Sequence, residues 1–63
     1  MKKIVIFEPG NIIAATEYIE GTRVLMPEGK GIIIHDDTQI IKDMLTTCGV
    51  TDFSLLEIFE QQK

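Results

Sequence analysis

At 63 residues the chain makes one domain, 1–63, near the lower limit of independent folding, where only about 60% of the unfolded surface becomes buried. Its 44% apolar and 25% charged residues exclude disorder, and one cysteine (Cys48) with one histidine (His35) excludes an internal disulfide and a cysteine-based zinc site. The net charge of −4 belongs to residues 32–63, where Lys42 and Lys63 stand against Asp36, Asp37, Asp43, Asp52, Glu57 and Glu60, and such a balance disfavours a phosphate backbone as partner.

Lys2 to Phe7 is rich in β-branched residues and stops at Glu8-Pro9-Gly10, which predicts a first strand. Ile4 and Ile6 fall on one face, Val5 and Phe7 on the other, so both faces call for a cover. Asn11 to Glu20 has two readings. Asn11 suits a helix N-cap, Gly21 a C′ position, and Ile12, Ala15 and Ile19 share a helical face. The alanine pair and these caps favour a short helix. The alternative is a further strand, which turns the N-terminal half into a four-stranded small β-barrel followed by two helices. Thr22–Met26 and Gly31–His35 read as a hairpin around Pro27-Glu28-Gly29-Lys30, with glycines for the positive φ of a tight turn.

Two helices fill the last third. Asp36-Asp37-Thr38-Gln39 matches a capping box with Asp36 at the N-cap, and Ile40, Ile41, Met44, Leu45 and Cys48 follow as one stripe that ends at Gly49. Thr51 or Asp52 caps the next helix, whose apolar residues are Phe53, Leu55, Leu56, Ile58 and Phe59. The predicted fold is α+β, in the order β-α-β-β-α-α, with a three-stranded sheet packed on helices.

His35-Asp36-Asp37 is the one cluster with chemical character, but consecutive strand residues point to opposite faces and do not converge on an ion. A strand end followed by a helix cap accounts for it. Met26 to Gly31 lacks the glycine spacing and helix of a phosphate loop, and Phe7 to Asn11 lacks a dinucleotide fingerprint. Cys48 lies on the apolar stripe at a helix C-terminus, where the dipole disfavours a thiolate, and reads as a small buried apolar side chain. No catalytic residue, cofactor or metal is assigned. The stretch from Asp52 to Glu60 has no basic residue, which excludes it as a recognition helix for DNA.

The apolar residues of the last helix spread over more than the roughly 100° stripe that one neighbour covers. Phe53, Leu55, Leu56, Ile58 and Phe59 are therefore the expected interface, and the expected role is a protein-binding module: a regulator, inhibitor or accessory subunit, self-associating as a dimer or higher oligomer. Small size, acidity and absence of motifs fit an accessory protein of a phage or mobile element. Two other classes stand beside this one. A small β-barrel could bind nucleic acid through Lys2, Lys3, Arg23 and Lys30, and an enzyme could form its site between subunits with His35 and Asp36. Four apolar residues at Ile4–Phe7 are too few for a signal-peptide core of roughly 7 to 15, and no run approaches the ~18 of a membrane span, so a cytoplasmic protein without membrane contact is expected.

Overall fold

The structure, a computed structural model, describes residues 1–61; Lys63, counted in the charge balance, lies outside the described residues. The fold is α+β, in the order β1 (Lys3–Glu8), β2 (Asn11–Glu17), β3 (Gly31–His35), α1 (Thr38–Thr47) and α2 (Ser54–Gln61). The three strands form an open antiparallel sheet in the order β2-β1-β3.

Asn11–Glu17 is a strand, not the expected helix. Pro9-Gly10 makes a two-residue turn that sets Glu8 opposite Asn11, with Gly10 at φ +84°. Proline fixes φ for the first central position of such a turn and glycine supplies the positive φ of the second. That local chemistry, together with Ile12, Ile13 and Thr16, outweighs the helical spacing. The register slips by one residue between Ile6 and Phe7, a bulge next to the turn. The sheet does not close, so the barrel alternative is not formed either.

The expected hairpin between Thr22–Met26 and Gly31–His35 is also absent, because β3 pairs with β1. Both β2 and β3 run antiparallel to β1, hence parallel to each other. Parallel strands need a crossover of a dozen or more residues, and residues 18–30 serve as that crossover. Thr22–Met26 is thus a strap outside the ladder.

Val5, Ile12 and Ile33 form the sheet's contribution to the core, and Ile41, Leu45, Val50 and Leu56 complete it from the helical layer. Phe7 faces the same side, directly opposite Gly31, and its ring occupies the space that a Cβ on Gly31 would take. α1 lies against β3 and α2 against β2.

The helix caps differ in detail from the sequence reading. The N-cap of α1 is Asp37, whose carboxylate accepts from the Gln39 and Ile40 N–H groups at 2.9 and 3.4 Å; Asp36 stands outside the helix. At the C-terminus Gly49 has φ +88°. The Gly49 N–H donates to Thr46 O at 3.0 Å and the Val50 N–H to Leu45 O at 2.9 Å, which is the Schellman pattern. The motif carries Val50 onto Leu45, and both are fully buried.

Asp52 holds the entry to α2 by accepting from the Ser54 hydroxyl and, at 3.0 Å, from the Ser54 N–H. These bonds, the hydroxyl first, hold its carboxyl below the ordinary 3.8, against a smaller opposing effect of burial. A lowered folded value means that the stabilisation is complete above the unfolded pKa and disappears as pH falls through the folded one. Asp52→Ala should therefore lower the melting temperature at pH 7, and the difference from the unsubstituted chain should narrow as pH falls below the ordinary carboxylate range, read by thermal circular dichroism across a pH series.

Candidate interaction groove

On the sheet face opposite the helices lie Ile4 and Ile6 of β1, Ile32 and Ile34 of β3, and Ala14 and Thr16 of β2, placed together by the register. The strap is the sole partner this face has among the described residues. It leaves β2 through Tyr18, whose N–H donates to Lys2 O at 2.9 Å, and turns at Ile19–Thr22, where Gly21 has φ +89°. It reaches β3 through a second turn, Pro27–Lys30, with Gly29 at φ +76°. The Lys30 ammonium, 3.1 Å from the Glu8 carboxylate, ties that end to the top of β1.

The strap buries Ile4 to 6% exposure and half-buries Val24, but it does not seal the face. Between strap and sheet runs an apolar groove of about 370 Å³, lined chiefly by Ile4, Ile6, Tyr18, Ile19, Val24 and Leu25. Thr16, Glu17, Thr22 and Arg23 supply a few polar groups on its walls. Leu25 on the rim is 90% exposed, and Ile19 and Met26 are also largely in solvent. A largely apolar concavity with few polar groups is the usual form of a binding site.

A second depression, about 340 Å³, lies between α1 and α2 over Leu56. Its walls are Thr38, Lys42, Glu57, Glu60 and Gln61, and their charges are already engaged. Lys42 Nζ stands 3.8 Å from the Glu57 carboxylate and 5.9 Å above the Phe53 ring. Beside this cleft the Lys3 side chain is almost wholly buried, donating to the Asp36 carbonyl at 2.9 Å and lying 3.4 Å from the Glu60 carboxylate, which also accepts from the Thr38 hydroxyl. This buried lysine escaped the sequence reading. Its signal was available in the alternation Lys3-Val5-Phe7, which puts Lys3 on the helix-covered face.

The residues singled out from sequence are dispersed. His35 Nδ1 accepts from the Asp37 N–H at 2.9 Å, which places the ring proton on Nε2. The Asp36 carboxylate, 3.2 Å from the same Nδ1, then meets a lone pair, so we read that approach as two acceptors side by side and not as an ion pair. With the Asp37 carboxylate turned into the helix cap, the three side chains share no common centre. Cys48 is not buried as the stripe suggests but exposed at the α1 C-cap. Of the five residues of the expected interface, Leu56 is fully buried, Phe53 (just before α2) and Phe59 pack against the core, and Leu55 and Ile58 face outward. Three of the four basic side chains considered for nucleic acid stand beside carboxylates: Lys2 at 3.7 Å from Glu20, Lys3 from Glu60 and Lys30 from Glu8.

No family model, curated protein or solved structure matches the chain. No helix among the described residues is long and apolar enough to cross a membrane.

Proposed function

We propose that the protein is a protein-binding module, a cytosolic regulator, inhibitor or accessory subunit, and that its partner enters the groove between strap and sheet. The observation that carries this reading is Leu25, nine-tenths exposed on the rim of an apolar groove that its own chain leaves open. A two-layer fold with a half-covered third side gains most from apolar side chains supplied by another molecule. The occupant is an amphipathic segment of a partner protein that presents aliphatic or aromatic side chains to Ile4, Ile6 and Val24. Its flanks are basic, because the net charge of −4 on the whole molecule steers a basic partner toward it.

Titration of the ¹⁵N-labelled chain with a basic amphipathic leucine–lysine peptide tests this. Saturable shifts should concentrate at Ile4, Ile6 and residues 16–25, and Leu25→Asp should weaken binding by about tenfold or more. Leu25 is so exposed that this substitution leaves the fold intact. Shifts centred on the α1–α2 cleft, or affinity indifferent to Leu25→Asp, would remove the groove as the docking site.

A further inference from the structure

β3 is an edge strand: one side pairs with β1, and the other has no strand beside it among the described residues. In an antiparallel ladder each residue turns its N–H and C=O to one side, alternately, so part of Gly31–His35 presents its backbone groups outward. No backbone or side-chain group among the described residues meets them. Edge strands are usually blunted by a bulge, a proline or a charged side chain. β2, the other edge, has a bulge and ends in Glu17. β3 reads Gly-Ile-Ile-Ile-His and has none of these devices.

Both faces of the sheet are apolar beside this edge. On the face turned away from the helices stands Ile34, opposite Ile4 in the register and 39% exposed. On the other face α1 overhangs. Its Ile41 and Leu45 point into the core, while Thr38 and Lys42 line the cleft toward α2. At 3.6 residues per turn, Ile40 and Met44 then fall on the flank away from α2, on the side of the β3 edge, and they are 40% and 45% exposed. A backbone that pairs with β3 lies between the two faces, and its side chains alternate from one to the other. A helix cannot take that place, because its N–H and C=O groups are already bonded within itself.

Charge selects the occupant. Asp36 and Asp37 follow β3 directly, and the Asp36 side chain is 65% exposed. Lys2, Lys3, Lys30 and Lys42 each stand beside a glutamate, and Arg23 lies on the groove wall. Among the described residues neither aspartate therefore meets a lysine or arginine. A second copy brings the same net charge of −4 and is repelled, whereas a basic strand is attracted.

We propose that β3 receives an extended, basic segment of another protein as a fourth strand of the sheet. The added strand runs antiparallel to β3, the pairing both existing ladders use and the more stable one per residue. Its apolar side chains alternate between Ile34 on one face and Ile40 and Met44 on the other. Lysine or arginine stands at its N-terminal end, which antiparallel pairing brings to Asp36. The groove is lined from β1, β2 and the strap, so this site neither uses nor requires the docking reading above.

The probe is the peptide amide Lys-Lys-Val-Val-Thr-Val-Val, titrated into the ¹⁵N-labelled chain up to about 1 mM. Saturable shifts should centre on Gly31–His35, and amides there should gain protection from hydrogen exchange. N-methylation of alternate peptide residues separates strand pairing from non-specific apolar contact. Blocking the set that faces β3 should weaken binding about tenfold or more, and blocking the interleaved set should change it by less than about twofold. Asp36→Lys should weaken binding about fivefold or more, and so should moving the lysines to the C-terminal end of the peptide. The Asp36 side chain caps no helix, so this variant keeps the fold. Leu25→Asp, on the groove, should leave the affinity unaltered. Absence of saturable shifts, shifts centred on residues 16–25, equal loss with both methylation patterns, or indifference to Asp36→Lys and to the lysine position would each overturn the proposal.

Discussion

Truncation of Leu45 to alanine should leave the domain largely unfolded without denaturant. Leu45 is fully buried among Val5, Ile12, Ile33, Ile41, Val50 and Leu56, and its carbonyl accepts the Val50 N–H that closes the α1 terminus. Deleting a buried leucine side chain costs about 2 to 5 kcal/mol, depending on how far the cavity collapses. A core of this size supplies about 3 to 5 kcal/mol in all. Here collapse is restricted, because Leu45 and Val50 are locked together by the Schellman bonds through Gly49. Urea titration followed by circular dichroism should show either no folded baseline or a midpoint shifted down by more than about 1 M. A loss below about 1 kcal/mol would mean that the seven-residue cluster is not the element that holds sheet and helices together.

The second large effect concerns Lys3. Glu60→Ala withdraws the carboxylate 3.4 Å from an ammonium whose side chain is only 7% exposed, leaving it the Asp36 carbonyl. Breaking a buried pair from one side costs about 3 to 5 kcal/mol; with Glu60 a quarter exposed, we expect about 2 to 3 kcal/mol. Replacing both charges relieves the penalty, so Lys3→Met combined with Glu60→Ala should be more stable than Glu60→Ala alone. Urea midpoints of the four members of this cycle give the coupling. If the double variant is no more stable than the single one, Lys3 is held by packing of its aliphatic stem and the charge is incidental.

The parts of the fold that were legible in the sequence are those with strong local chemistry. β1 shows in its β-branched run and its Glu-Pro-Gly stop, and both helices show in stripe spacing and in Gly49. The cap of α1 moved by one residue, from Asp36 to Asp37, because either aspartate satisfies the pattern and only the backbone geometry chooses. Asn11 to Glu20 reads as a helix because Asn11, the alanine pair and Gly21 imitate helix signals, whereas Pro9-Gly10 acts as a hairpin turn on the preceding strand. The hairpin expected at Pro27–Lys30 failed for a non-local reason: the free edge of β1 captures β3, and no local propensity reports that competition. The α2 residues illustrate the same limit for the candidate site. Leu55 and Ile58 remain outside and Leu56 does not, a distinction set by where β2 and α1 stand. The groove itself is invisible in sequence, since it arises from the strap crossing a sheet face twenty residues away from some of its lining.

The crossover has a consequence for how the chain acquires its fold. β1 and β2 are joined by two residues, whereas β3 reaches β1 only after residues 8–30 have been looped out, from Phe7 to its partner Gly31. Closure entropy grows with the logarithm of loop length, so the second pairing carries about 2 kcal/mol more than the first. The local hairpin is therefore the less demanding first step, and the central strand of the finished sheet begins as an edge. Until Gly31–His35 arrives, Ile4 and Ile6 stand beside an unpaired row of backbone groups, and a newly made chain must pass through that interval with its stickiest strand uncovered.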